Sequence, residues 1–204
     1  MIKQTITAAF IVCAVFGAKA QYLGLKGGLT FSNLNFEEVD DRNMRTGFNA
    51  GVYFNFPLTE TFAIQPEVNF TTKGATAEYD LLAYEGEYSF NMSYIDIPLM
   101  GVIRLNDAFE LHLGPYFGLL ANTSLSTDGD FGEAQEELDS DNFQNLDYGL
   151  AGGLALNLSA IQVGARYHYG LQKVADSEAA ETFLGDARHS YLQVYGALRI
   201  GDFD

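Results

Sequence analysis

The sequence has no Trp, a single Cys and only four Pro in 204 residues. Basic residues are scarce too, with 11 Lys+Arg against 27 Asp+Glu and a formal net charge of −16. A chain so acidic lacks the cations that neutralise phosphates, so it is read as having no nucleic-acid partner. Long apolar runs are missing after the first twenty residues, and the mean hydropathy is −0.01. That excludes a bundle of membrane-spanning helices, each of which needs about 20 apolar residues.

The first twenty residues differ from the rest. Lys3 supplies a basic start, residues 5–17 are an apolar run, and Ala18-Lys19-Ala20 puts small residues at the A-x-A positions. The pattern predicts a signal peptide over residues 1–20, cleaved before Gln21, with the mature domain over 21–204. A lipoprotein acylated at Cys13 is the competing reading. It requires a very short leader, and Val12 is not a small residue. Cleavage removes Lys3, Lys19 and no acid, which takes the net charge from −16 to −18. It also removes the only cysteine, so disulfides do not hold the mature chain, and a closed hydrogen-bonded barrel would serve instead.

What is present is greasy and small: 48% hydrophobic residues, 14% aromatic and 21 Gly. They are arranged with period two. Leu23, Leu25, Leu29 and Phe31 fall on one face, and Gly24, Lys26, Gly28, Thr30 and Ser32 on the other. Residues 47–56 set Phe48, Ala50, Val52, Phe54 and Phe56 against Asn49, Gly51, Tyr53 and Asn55; residues 62–72 set Ile64, Val68 and Phe70 against Gln65, Glu67, Asn69 and Thr71. The same alternation runs through 90–105, 109–120, 148–157, 161–171 and 191–200. Strict alternation marks strands with one apolar and one polar face. Pro98, which has no N–H for the ladder, predicts a bulge or a weakly bonded position.

Eight such segments, each near the length that crosses a bilayer at a tilt, are joined by alternating short and long connections. The short ones are 57–61, 106–108 and 158–160; the long ones are roughly 33–46, 73–88, 121–146 and 172–190. The expected fold is therefore an all-β, eight-stranded antiparallel transmembrane β-barrel with short periplasmic turns and long extracellular loops. A soluble lipocalin-like barrel shares the alternation but points its apolar face inward. Three features favour the membrane. The polar face is rich in Gly and carries charges of both signs, which suits a narrow lumen. Aromatics collect at strand ends on the apolar face: Phe54, Phe56, Phe62 and Phe109 near short turns, Phe31, Phe48, Phe70 and Tyr169 near long ones. Finally, the short–long alternation of loops is not something a lipocalin requires.

Several stretches carry a family likeness: Tyr22-Leu23-Gly24-Leu25-Lys26-Gly27-Gly28, Gln65-Pro66-Glu67, Lys73-Gly74 and Tyr94-Ile95-Asp96-Ile97-Pro98-Leu99. Gly114-Pro115-Tyr116, Ala165-Arg166-Tyr167-His168-Tyr169-Gly170-Leu171 and Leu192-Gln193-Val194 continue it. On these the chain resembles the outer-membrane β-barrel domain proteins of Bacteroidota, of the porin-family or PorT-family kind. The resemblance spans essentially the whole mature chain. It implies an eight-strand barrel in the outer membrane and implies no activity. The C-terminus departs from the usual aromatic ending of such precursors, because Asp204 follows Phe203.

The chemistry-bearing residues collect on the polar face. Lys26, Arg104, Arg166 and Arg199 stand with Glu67, Asp96, Glu110 and His168, and are expected to form a structural lumen network that fills a small barrel. The alternative is a selectivity lining for a narrow, porin-like channel for small solutes. His112 and His168 share that face without a third metal ligand. In the third long loop, Asp128, Asp130 and Glu133 are the best calcium candidates, but they miss the EF-hand register. His189, Asp186 and Ser190 form a loose group, and no G-x-S-x-G, H-E-x-x-H or P-loop occurs. The reading is therefore a non-enzymatic, cofactor-free barrel among outer-membrane lipids, inserted by barrel assembly machinery. Its role is structural or interactive, through acidic extracellular loops and an envelope partner.

Overall fold

The computed structural model describes residues 22–35, 45–81, 84–129, 134–137, 145–173 and 188–201. The strands are β1 (Tyr22–Asn35), β2 (Arg45–Pro57), β3 (Phe62–Leu81), β4 (Tyr84–Arg104), β5 (Phe109–Gly129), β6 (Ala134–Glu137), β7 (Leu146–Leu158), β8 (Ile161–Lys173) and β9 (Arg188–Gly201). Each long strand pairs antiparallel with its chain neighbour, and β1 pairs with β9 from Tyr22↔Gly201 to Asn35↔Arg188. The last pairing closes the ring, giving an eight-strand barrel of β1–β5 and β7–β9. The short β6 is added on the β5 edge at the long-loop end. Closure gives every spanning strand a partner on both sides, which is what lets a sheet lie in hydrocarbon. Among the described residues no helix is long and apolar enough to cross a membrane.

Parity decides which residue faces where. Leu25, Leu29, Leu113, Leu150, Leu154, Val194 and Leu198 point outward, and Leu113 is 63% exposed. Their alternate neighbours Lys26, Asn49, Glu67, Asp96, Arg166 and Gln193 are buried inside the ring. The greasy face therefore looks to lipid and the polar face to the lumen, the opposite of a lipocalin. Phe62 and Phe109 stand outside at the short-turn end, and Phe48 packs against Phe70 toward the other end with ring centroids 5.7 Å apart.

The short turns are tied by their own side chains. Oγ1 of Thr59 accepts the N–H of Phe62 at 2.9 Å, and Oδ1 of Asn106 accepts those of Ala108 and Phe109, each at 2.9 Å. Such bonds satisfy turn donors that the ladder leaves over. The third turn is the pair Ser159–Ala160, with Ser159 in the left-handed region at φ 58°.

Two expectations need correction. The connection expected over 73–88 is mostly a hairpin: β3 and β4 stay paired from Phe62↔Ile103 to Leu81↔Tyr84. Likewise β5 runs on to Gly129, beside β4 and then β6. The ladder outlasts the apolar band because backbone pairing needs no lipid, whereas the alternation that betrays a strand does. Pro98 lies at a break in the ladder, since β4–β5 pairing passes from Pro98↔Tyr116 to Gly101↔Leu113. The register shift itself is nearer the long loops, between Ser93 and Tyr94.

Candidate functional site: the barrel lumen

Inward residues of eight strands meet in a space only a few side chains wide. Glycine makes that space. A Cβ at Gly24 would lie inside the Tyr53 ring, and one at Gly164 would stand 2.5 Å from the Tyr195 hydroxyl. The large rings thus lie flat over strands that carry no side chain at the facing position.

The charges sort into two clusters. The first is centred on Glu67 of β3. Its carboxylate accepts Nη1 and Nη2 of Arg166 (β8), each at 2.9 Å, and Nζ of Lys26 (β1) at 3.0 Å. Gln65 and Asn69 add amide donors at 2.9 and 3.1 Å. Five donors on one carboxylate, two of them a bidentate guanidinium, are what a buried anion needs to stay charged. Nη2 of Arg166 also donates to Nδ1 of His112 at 2.9 Å. A guanidinium only donates, so His112 accepts at Nδ1 and carries its proton on Nε2, which donates to Glu110 at 3.2 Å. Gln162 donates to the same Glu110 oxygen at 3.0 Å, and Arg104 approaches the other at 3.8 Å.

The second cluster lies nearer the long loops. Nζ of Lys73 (β3) donates to Asp96 (β4) at 3.0 Å and to Asp147 (β7) at 2.9 Å. The rings of Tyr94, Tyr191 and Tyr116 surround the ammonium at 4.3, 4.6 and 5.2 Å from their centroids. Two of those hydroxyls are bonded to the same carboxylates: Tyr191 donates to Asp96 at 3.1 Å and Tyr116 to Asp147 at 3.3 Å. His168 stacks on Tyr191 at 4.3 Å, and His189 lies edge-on to Tyr94 with Nε2 3.3 Å from its hydroxyl.

The expected network is therefore divided. Lys26, Glu67, Glu110, Arg104 and Arg166 come together in the first cluster, while Asp96 belongs to the second. His168 contributes a ring to the second cluster. Arg199 lies at the short-turn rim, bonded to the Ser159 carbonyl and 5.4 Å from the Tyr22 ring centroid. Three lumen residues escape sequence reasoning: Lys73 and His189, assigned there to long loops, and Asp147, left between the third long loop and the strand read from residue 148. The signal that finds them is parity carried past the apolar band, Lys73 continuing Glu67, Asn69 and Thr71.

His189 is also removed from the loose hydrolase grouping, because its side chain is buried in the lumen at 2% exposure. Asp186 lies outside the described residues. Asp128 pairs with Glu87 in the β4–β5 ladder. Its side chain lies outside the described residues, as do Asp130 and Glu133 altogether. Among the described residues no group of three or more His, Cys, Asp or Glu is arranged to hold a metal ion.

Solved structures similar to the chain include the attachment invasion locus protein Ail of Yersinia pestis. It is 14% identical with a TM-score of 0.48, over 89% of this chain and 99% of that one. Neisserial surface protein A is 12% identical with a TM-score of 0.48, over 87% and 97%. The outer membrane protein OprG from Pseudomonas aeruginosa is 12% identical with a TM-score of 0.39, over 90% and 98%. No curated protein sequence matches the chain. The outer membrane protein beta-barrel domain matches residues 19–176, well over half of the chain. That match agrees with the closed ring and its apolar outer wall, and the chain belongs to this family of outer-membrane barrels.

Proposed function

We propose that the protein is a plugged barrel, an integral outer-membrane scaffold whose lumen is filled rather than conducting. Its role in the envelope is structural or interactive, exerted through the acidic extracellular loops on an envelope partner. The observation that carries the plug is the Glu67 cluster: a carboxylate from β3 is bonded at once to Lys26 of β1 and Arg166 of β8. A bridge between separate parts of the wall stands across the axis, and ions would have to break it to pass. The Lys73 cluster places a second bridge, from β3 to β4 and β7, in series with the first.

The remaining assignments belong to this reading. Residues 1–20, outside the described residues, serve as the signal peptide; residues 21–204 form the domain that barrel assembly machinery inserts. The kinship is with barrels of Bacteroidota of the PorT kind. No catalytic role and no cofactor are assigned to the lumen residues. The segment beyond the membrane on the β5 side, with Asp128, Asp130, Glu133, Glu136 and Glu137, supplies the acidic charge for this role.

Planar-bilayer recording of the purified barrel tests the plug. The expected trace has no discrete steps at moderate voltage for the wild type, with steps emerging in Glu67→Ala/Arg166→Ala. Steps of uniform size in the wild type would overturn the plug and favour the narrow channel. Co-purification from mild detergent, with and without residues 130–141, tests the loop role: a partner retained equally by both forms would overturn it.

A further inference from the structure

Lys73-Gly74 stands out in the sequence, yet the plug alone does not explain its form. The two residues make a corner. Gly74 has φ 149°, a conformation that L side chains rarely adopt. Its N–H donates to Oγ of Ser32 at 3.0 Å, and the same hydroxyl donates back to its carbonyl at 3.0 Å. Pairing of β2 with β3 ends just before, at Asn49↔Thr71. The lysine thus leaves the wall where β3 parts from β2, and its side chain is wholly enclosed in the lumen at 0% exposure.

What encloses it has the composition of an amine receptor. Two carboxylates take two of the three ammonium protons at 2.9 and 3.0 Å, and three tyrosine faces lie at 4.3–5.2 Å. Aromatic faces within about 6 Å attract a cation through the ring quadrupole. Two carboxyl groups, Asp96 and Asp147, thus face the single ammonium of Lys73. Among the described residues, Oδ1 of Asp147 is buried without a hydrogen-bond partner. The wall packs closely there: a Cβ at Gly170 would come within 2.8 Å of the His189 carbonyl oxygen and 3.3 Å of that carboxylate oxygen. The receptor is thus built for a cation and holds more acceptor capacity than its occupant uses. Its distances suit N–H···O bonds, and a quaternary ammonium has no proton to give them.

We propose that the external half of the lumen is a primary-ammonium binding site of which the Lys73 side chain is the tethered occupant, so that a free alkylammonium ion takes the site when that arm is absent. The proposal rests on the reading of the lumen as filled. Bilayer conductance of the wild type tests that reading, whereas a binding readout tests this one.

The test uses Lys73→Ala in the full barrel, folded in lipid vesicles, with propylammonium as probe because its three carbons and ammonium replace the Cγ, Cδ, Cε and Nζ that the substitution removes. The variant's unfolding midpoint should fall on the order of 10 °C, because two buried carboxylates lose their counter-charge. Propylammonium chloride should restore at least half of that loss in a saturable way, over and above NaCl of equal ionic strength. Tetramethylammonium should restore none, and neither wild type nor Lys73→Met, which fills the space without a charge, should respond. If Lys73→Ala fails to fold alone, refolding from urea should recover barrel only with propylammonium present. A response equal to that of NaCl, one that survives Asp96→Asn/Asp147→Asn, or failure to fold at every propylammonium concentration overturns the proposal.

Discussion

Arg166 and Glu67 face each other across the lumen as a two-pronged pair, each terminal guanidinium nitrogen 2.9 Å from one carboxylate oxygen. Neither side chain is more than 1% exposed. The two residues stand 99 apart in the chain, on β3 and β8, and no turn brings those strands together. Their meeting depends on closure of the whole ring.

Removing both partners should therefore cost less than the sum of removing each alone. Glu67→Ala leaves Lys26 and Arg166 as buried cations without their shared carboxylate, and should lower unfolding free energy by about 3–5 kcal/mol. Replacing both with apolar residues of similar size, as in Glu67→Leu/Arg166→Met, should cost less than the sum of the single changes. Urea unfolding in lipid vesicles, followed on gels without boiling, measures the cycle. Additive losses would mean that the pair is not coupled.

A second prediction concerns glycine. Gly24→Ala should destabilise the barrel by about 1–3 kcal/mol, because its Cβ would overlap the buried Tyr53 ring. Tyr53→Leu made on top of it should recover part of the loss, since the shorter side chain vacates the space. Tyr53→Phe should recover none, as it keeps the ring and loses only the bond from the hydroxyl to Gln162 at 3.4 Å. Equal effects of Leu and Phe would exclude the ring as the source of the clash.

The same geometry explains what the sequence makes legible. Between Gly47 and Pro57, or Ile161 and Leu171, lipid on one side and the packed lumen on the other impose opposite demands on successive residues, so the alternation can be read directly. Strand count, faces and closure follow from it. Lys73 and His189 lie past the lipid band, where the outward neighbours Thr72 and Arg188 no longer form an apolar series, and Asp147 stands at its edge between the exposed Leu146 and Tyr148. Hydrophobic period is lost there although the ladder continues. The inward parity persists, and Asp147 extends the series Gly149, Ala151 just as His189 extends Tyr191, Gln193. The partition into two clusters is not legible at all. Asp96 chooses Lys73 over Arg166 through strand stagger, which alternation does not encode.

The two faces should also answer differently to charge. Leu113 is an outward residue near the middle of the spanning part of β5. Leu113→Arg should cost about 2–4 kcal/mol by placing a guanidinium in hydrocarbon. Leu158→Arg, at the end of β7 beside the Ser159–Ala160 turn, should cost about 0–1 kcal/mol, because its side chain reaches the interface. Folding yield into vesicles of defined thickness, with urea titration, reads both. Equal costs would contradict a lipid-facing wall at Leu113.

Beyond the membrane, the β3–β4 hairpin should behave as ordered sheet. Its backbone stays paired through Ala75↔Phe90, Ala77↔Tyr88 and Tyr79↔Gly86. β4 is in turn paired with β5 through Tyr88↔Thr127 and Gly86↔Gly129. A two-stranded ribbon in water is marginal, whereas three strands growing out of a rigid wall inherit its register and need no nucleation of their own. The amides of residues 86–90 are flanked on both sides, whereas residues 75–81 pair, among the described residues, with β4 alone. The first group should therefore exchange with deuterium more slowly than the second. Both groups should exchange faster than amides of the membrane-spanning segments. Exchange of residues 86–90 as fast as that of an unstructured peptide would mean that the ladder ends with the lipid, and that parity cannot be carried outward beyond Lys73.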